Sequence, residues 1–194
     1  MKIGLFFGSF NPIHVGHLII ANVMAETTDL DKVWFVVSPQ NPFKKKNTLI
    51  HEFDRLDMVR AAIHENYKLD VTDIEFNMPR PSYTVDTLAF LSEKHPDKQF
   101  SLIIGGDNLH SFPKWKNYEV ILKDYSMYVY PRPNQKPSPI LEHPNVTEVE
   151  APLLDISATF IRKCVARGQS ITYMVHPAVE EIIHSRKFYL QPLA

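Results

Sequence analysis

Two histidines set three residues apart, in the run Gly8-Ser9-Phe10-Asn11-Pro12-Ile13-His14-Val15-Gly16-His17, are the side chains of this sequence best placed to do chemistry. They follow an apolar run, Ile3 to Phe7, that reads as a buried strand, and they lead into a helical stretch from Leu18 to Glu26. A strand-to-helix turn of this kind is suited to phosphate. Gly8 lets backbone approach a ligand, the following N–H groups point into the turn, and the new helix offers its positive end to an anion. With the helix begun at His14, both imidazoles share one face and donate to the same oxyanion. Taken singly, a loop histidine is an ordinary polar residue and a glycine with a proline marks a turn. Together, between strand and helix, they point to a nucleotide site. Zinc is the other use of paired histidines, but no Glu stands between these two and the only cysteine, Cys164, is far away in sequence.

A second group lies near the other end, in Asp155-Ile156-Ser157-Ala158-Thr159-Phe160-Ile161-Arg162. Ser157 reads as the N-cap of a helix that stops at Gly168, its C′ residue, and Ile156, Phe160, Ile161 and Val165 form its buried stripe. Capping alone accounts for the serine. Ser157, Thr159 and Arg162 at one helix start are also what binding an anion requires physically. A third candidate is Lys44, in a loop rich in proline and lysine from Pro39 to Lys46 that could close over phosphates as a lid, with Lys45 and Lys46 left as surface.

The elements that must carry these groups alternate. Lys32 to Ser38 reads as a second buried strand, Glu52 to His64 as a helix with Phe53, Leu56, Val59, Ala62 and Ile63 at helical spacing, and Leu69 to Ile74 as a short strand. Val85 to Lys94 is predicted helical, Phe100 to Ile104 a central strand ending at Gly105-Gly106, Val120 to Leu122 part of a short helix, and Met127 to Tyr130 a strand. Continuous apolar strands alternating with helices predict an α/β fold, a Rossmann-like, doubly wound, mostly parallel sheet with helices on both faces and ligands at the carboxyl ends of the strands. Pro131 to Pro144 is a proline-rich connector, and neither it nor the lysine loop marks a domain boundary. A single domain over residues 1–194 is expected, with a C-terminal helical segment from about 157 to 194.

With 194 residues, such a domain buries roughly 70% of its unfolded surface. The 21 basic and 22 acidic residues nearly cancel, which argues against nucleic acid or a membrane surface as partner and makes any phosphate binding local. A single cysteine excludes an internal disulfide, no apolar run reaches the length of a membrane span, and the first residues do not resemble a signal peptide, so a cytoplasmic location is expected. Homo-oligomerisation stays open.

The first turn resembles the GxFxPxHxGH signature of the nucleotidyltransferases related to class I aminoacyl-tRNA synthetases, with His14 and His17 as the pair that binds ATP phosphates and stabilises the transition state. The Ile156-to-Arg162 stretch resembles the ISSTxIR element of the same superfamily, which holds the β- and γ-phosphates; Ala158 stands where a second serine is usual. Ser82-Tyr83-Thr84-Val85-Asp86-Thr87-Leu88 looks like the SYTVDTL element of the nicotinate-mononucleotide adenylyltransferases, and Gly105-Gly106-Asp107-Asn108-Leu109 with Trp115 resembles their G-x-D…W element. Asn41-Pro42-Phe43-Lys44 stands where that family often has Pro-Pro-His-Lys, so Lys44 alone aligns with the basic residue. The tail from Tyr173 through His176, Pro177 and Ile182 to Tyr189 matches the family's closing helical segment.

The resemblance implies transfer of AMP from ATP to nicotinate mononucleotide, with deamido-NAD and pyrophosphate as products. His14, His17, Lys44 and Arg162 would be catalytic, with Mg²⁺ accompanying ATP and no dedicated protein cage for the metal. ATP would contact Gly8, Ser9, Phe10, His14, His17, Arg132, Ile156, Ser157, Thr159 and Arg162. Nicotinate mononucleotide would contact Ser82, Tyr83, Thr84, Asp107 and Trp115, with Trp115 stacked on the pyridine ring and Asp107 on a ribose or supporting its loop. A nicotinamide-mononucleotide or phosphopantetheine adenylyltransferase, and a nucleotide sensor without catalysis, are the alternatives.

Overall fold

The computed structural model describes residues 1–39, 49–133 and 135–190. Six strands, β1 (Lys2–Gly8), β2 (Lys32–Val37), β3 (Leu69–Thr72), β4 (Gln99–Gly105), β5 (Ser126–Tyr130) and β6 (Val146–Glu148), form one sheet in the order β3-β2-β1-β4-β5-β6. Every pairing is parallel. The helices are α1 (Val15–Thr27), α2 (Glu52–Ile63), α3 (Thr84–Lys94), α4 (Tyr118–Asp124), α5 (Ala158–Ala166) and α6 (Pro177–Ser185).

Both faces of the sheet are covered. Along β2, Val33, Phe35 and Val37 pack with α1, α2, α5 and α6, while Val36 and Trp34 pack on the other side with Leu88 and Leu91 of α3 and Ile121 of α4. A strand buried on both faces needs apolar residues at every position, which is why it reads as an unbroken hydrophobic run. The chain leaves β1 toward β2 on one side and returns to β4 on the other, so the order reverses between β1 and β4. A crevice opens at such a switch point, outside the carboxyl ends of the strands. Gly8 and Gly105 end the two strands that flank it.

The structure departs from the sequence reading at two places. The strand from Leu69 stops at Thr72 rather than Ile74, because Thr72 Oγ1 accepts the Ile74 amide at 3.2 Å and turns the chain into a 3-10 segment, Ile74–Asn77. The C-terminal segment holds two helices, α5 and α6, with the break at Gly168 (φ +67°) where the sequence ends the first of them, and non-helical residues follow up to 190; residues 191–194 lie outside the described part. The edge strand β6 follows the proline-rich connector and was not foreseen, since only Val146 of its three residues is buried. Among the described residues no helix is long and apolar enough to cross a membrane.

Candidate active site

Helix α1 begins at Val15, one residue later than the shared-face geometry assumed, and His14 is its N-cap with extended backbone (φ −143°, ψ 169°). The imidazoles nevertheless meet: their ring centroids lie 3.7 Å apart at 23°. The His14 amide donates to His17 Nδ1 at 3.3 Å. An accepting Nδ1 leaves the proton of the neutral His17 ring on Nε2. His14 is 6% exposed and its Nδ1 has no hydrogen-bond partner among the described residues. Burial, with a smaller contribution from the Arg132 charge, pushes its pKa down to about 4, so this imidazole is neutral at physiological pH and serves as a hydrogen-bonding group rather than a standing cation. The helix end is also less open than the sequence implies. Val15 N donates to Met174 O at 2.9 Å, and the amides of His17 and Leu18 donate to His14 O.

The turn itself is held by aromatic packing. Phe10 takes a left-handed conformation (φ +45°) and is 2% exposed, its ring edge-on to Phe6, Phe35 and His17. That ring occupies the space over Gly8, where a Cβ would lie 2.7 Å from two of its atoms. Gly8 is thus required by Phe10, whereas the sequence reading assigned the space to ligand.

Gly16 has the other indispensable absence. A Cβ there would lie 2.5 Å from Ile156 Cγ2 and 3.0 Å from His14 Nδ1. The bare backbone lets the segment before α5 seat against the first turn of α1, and this contact joins two motifs 140 residues apart in the chain. Ser157 caps α5 by accepting the Phe160 amide at 3.2 Å. Arg162, 9% exposed, donates to Asn11 O at 2.7 Å and Thr159 Oγ1 at 3.2 Å, while its Nε has no partner among the described residues. Asn11 Oδ1 in turn accepts from Tyr189 OH at 2.9 Å, tying the C-terminal residues to the back of the turn.

These groups line a cavity of about 510 Å³ that includes all ten residues expected at ATP: Gly8, Ser9, Phe10, His14, His17, Arg132, Ile156, Ser157, Thr159 and Arg162. Arg132 donates to Leu154 O at 3.1 Å and approaches Asp107 to 3.8 Å. Asp107 therefore lies beside Arg132 in this cavity, not among the residues lining the second one. Tyr130, whose hydroxyl burial pushes up to about 12, lines both. Lys44, with Asn41, Pro42, Phe43, Lys45 and Lys46, lies outside the described residues.

The second cavity, about 220 Å³, adjoins the first at Phe6, Phe7, Gly8, Ser9, Asn108 and Tyr130. Ser82, Tyr83, Thr84 and Trp115 line it as expected. Lys116 crosses from beside Trp115 to α3, with Nζ 2.8 Å from Asp86 and 4.8 Å from the Tyr83 ring centroid. Glu75 is a residue that sequence reasoning missed. It is 2% exposed and accepts from Ser82 Oγ at 2.9 Å and Thr87 Oγ1 at 2.8 Å, so the Ser82 hydroxyl holds its own loop in place. The spacing of Glu75, Ser82 and Thr87 carries no periodic signal that would have revealed this.

The chain matches the cytidylyltransferase-like family over residues 5–164. It is 65% identical over 189 residues to a probable nicotinate-nucleotide adenylyltransferase of Cytophaga hutchinsonii, covering 97% of this chain and 98% of that protein. To the probable nicotinate-nucleotide adenylyltransferase of Flavobacterium johnsoniae it is 51% identical over 191 residues, covering 97% and 99%. A solved structure of Plasmodium falciparum nicotinic acid mononucleotide adenylyltransferase complexed with NaAD shares the fold, with a TM-score of 0.82 at 21% identity over 100% of this chain and 99% of that one. The protein is thus a member of the cytidylyltransferase-like family and, within it, of the nicotinate-nucleotide adenylyltransferases.

Proposed function

We propose that the protein transfers the AMP moiety of ATP to nicotinate mononucleotide, releasing pyrophosphate and forming deamido-NAD, with residues 1–194 acting as one nucleotidyltransferase domain. The observation that carries this reading is the meeting of two cavities at Gly8 and Ser9, one lined by His14, His17, Ser157, Thr159 and Arg162 and the other by Tyr83, Thr84 and Trp115. Family membership through highly identical relatives supports the same substrates.

In this reading the triphosphate lies in the larger cavity, and the phosphate of nicotinate mononucleotide enters from the smaller one. A phosphate oxygen attacks the α-phosphorus of ATP, the bond from that phosphorus to the bridging oxygen of the β-phosphate breaks, and the electron pair leaves with pyrophosphate. The nucleophile is already anionic at neutral pH, so no general base is needed, and catalysis rests on positioning and charge stabilisation. Neutral His14 and its neighbour His17 donate hydrogen bonds where negative charge develops, and the Arg162 guanidinium supplies fixed positive charge. Lys44 adds a further cation in the family pattern. Asp107 is the one carboxylate lining the larger cavity among the described residues, which fits Mg²⁺ arriving as part of the ATP substrate, held by phosphate oxygens and water.

Trp115 offers an aromatic face to the pyridine ring, and Lys114 lines the same cavity as a cation for its carboxylate, while Lys116 is paired with Asp86 and the Glu75 carboxylate is taken up by the Ser82 and Thr87 hydroxyls. The test is direct. Purified protein with ATP, Mg²⁺ and nicotinate mononucleotide releases pyrophosphate, and kcat/KM for this acceptor exceeds that for nicotinamide mononucleotide. Silence with both acceptors and turnover with phosphopantetheine would refute the reading, and ATP binding without turnover on any acceptor would turn it into a sensor.

A further inference from the structure

Arg55, in the first turn of α2, is fully buried, and no carboxylate forms an ion pair with it among the described residues. Among the described residues its partners are all main-chain carbonyls. Nε donates to Ile50 O at 3.1 Å, Nη1 to Ser9 O at 2.5 Å and Ser38 O at 2.8 Å, and Nη2 to Pro39 O at 3.1 Å. The nearest acidic influence is Glu52, whose carboxylate is taken by Arg80 at 2.8 Å. One guanidinium thus fastens the residue after β1 to the residues after β2. The link continues the parallel ladder, in which Ser38 N donates to Gly8 O at 2.9 Å.

As a device for stability this arrangement is poor. Burying a guanidinium without a counter-charge is costly, neutral carbonyls offset that cost only in part, and a well-packed apolar side chain at such a site is often more stabilising. The position of the charge gives it a use. Ser9 lines both cavities, and its carbonyl is one of the atoms the guanidinium holds. A charge fixed there by four hydrogen bonds acts on a ligand at the turn without reorganising, through an interior that screens it weakly.

We propose that Arg55 is a positioning residue that sets the Ser9 turn where the two cavities meet, and that the bound polyphosphate is the counter-charge its buried guanidinium lacks. The proposal rests on reading the larger cavity as the polyphosphate site, and the probe is inorganic triphosphate without an acceptor. Calorimetry on the full chain compares wild type with Arg55→Gln, which can accept and donate without charge, and with Arg55→Lys, which keeps the charge on a different head group. The expected result is binding to R55Q weakened by about tenfold or more, with R55K within about threefold of wild type. Equal losses in both variants, or R55Q binding like wild type, would overturn the proposal. In wild type itself, the guanidinium ¹⁵N signal absent from the R55K spectrum shifts when triphosphate is added. An unmoved signal overturns the proposal even where R55Q does not fold. A wild-type protein that binds no triphosphate refutes the reading of the cavity, and this proposal with it.

Discussion

Protonating His14 is predicted to destabilise the folded protein. The imidazole is buried against His17 and near Arg132, and its pKa falls from the ordinary 6.5 to about 4, chiefly because burial disfavours the cation. In the unfolded chain the ring takes a proton as pH drops through about 6.5, whereas in the folded protein it does so only near 4. The unfolded state therefore binds more protons across that window. The stability tied to the neutral ring is fully present above pH 6.5, is lost progressively as pH falls toward 4, and changes no further below. The gap between the two values corresponds to about 3 kcal/mol. Urea denaturation of wild type and His14→Gln from pH 7.5 to 4 isolates this contribution, because the other titrating groups are common to both. The wild-type protein should lose about 3 kcal/mol more than the variant over that range. Parallel stability profiles, or a variant that loses more, would refute a neutral buried His14. The same argument predicts no acid-side break from His14 in kcat/KM between pH 5 and 8, since that profile reports groups of the free enzyme.

Three further perturbations test other parts of the site. His17→Ala should lower kcat by roughly 10²-fold with far less effect on thermal stability, as loss of an electrostatic donor does, and steady-state pyrophosphate release measures it. Gly16→Ala should cost about 1–3 kcal/mol in denaturation, because its Cβ would meet Ile156 Cγ2 at 2.5 Å, and a double-mutant cycle with Ile156→Ala should recover part of that loss. Trp115→Ala should raise KM for nicotinate mononucleotide roughly tenfold while leaving KM for ATP unchanged; a similar rise in both would assign Trp115 to packing against Phe112 instead.

How much of this was legible in the sequence depended on whether a signal was local. Strands β1, β2 and β4 were readable because burial on two faces demands uninterrupted apolar residues. Ser157 and Gly168 declared the ends of α5 through capping preferences that act within one turn. The resemblance of two motifs to family elements grouped His14, His17, Ser157, Thr159 and Arg162, and these residues line one cavity. What stayed hidden was tertiary. Arg55 and Glu75 are charged residues of a type that is ordinarily solvated, and nothing near them in sequence announces that carbonyls or hydroxyls from other segments will surround them. The ionisation of His14 is set by what covers it, so residue type alone could not say that the fold keeps this ring neutral. Gly16 showed its purpose only when Ile156, far along the chain, arrived against it.

The shared wall between the two cavities has a consequence for inhibitor chemistry. Because Gly8 and Ser9 belong to both, a single molecule that joins a polyphosphate mimic to a flat aromatic acid across that ridge occupies the two recognition volumes together. Capture of one end then makes engagement of the other intramolecular, and with a spacer matched to the ridge the tethered compound gains about 10²–10⁴-fold over either fragment alone.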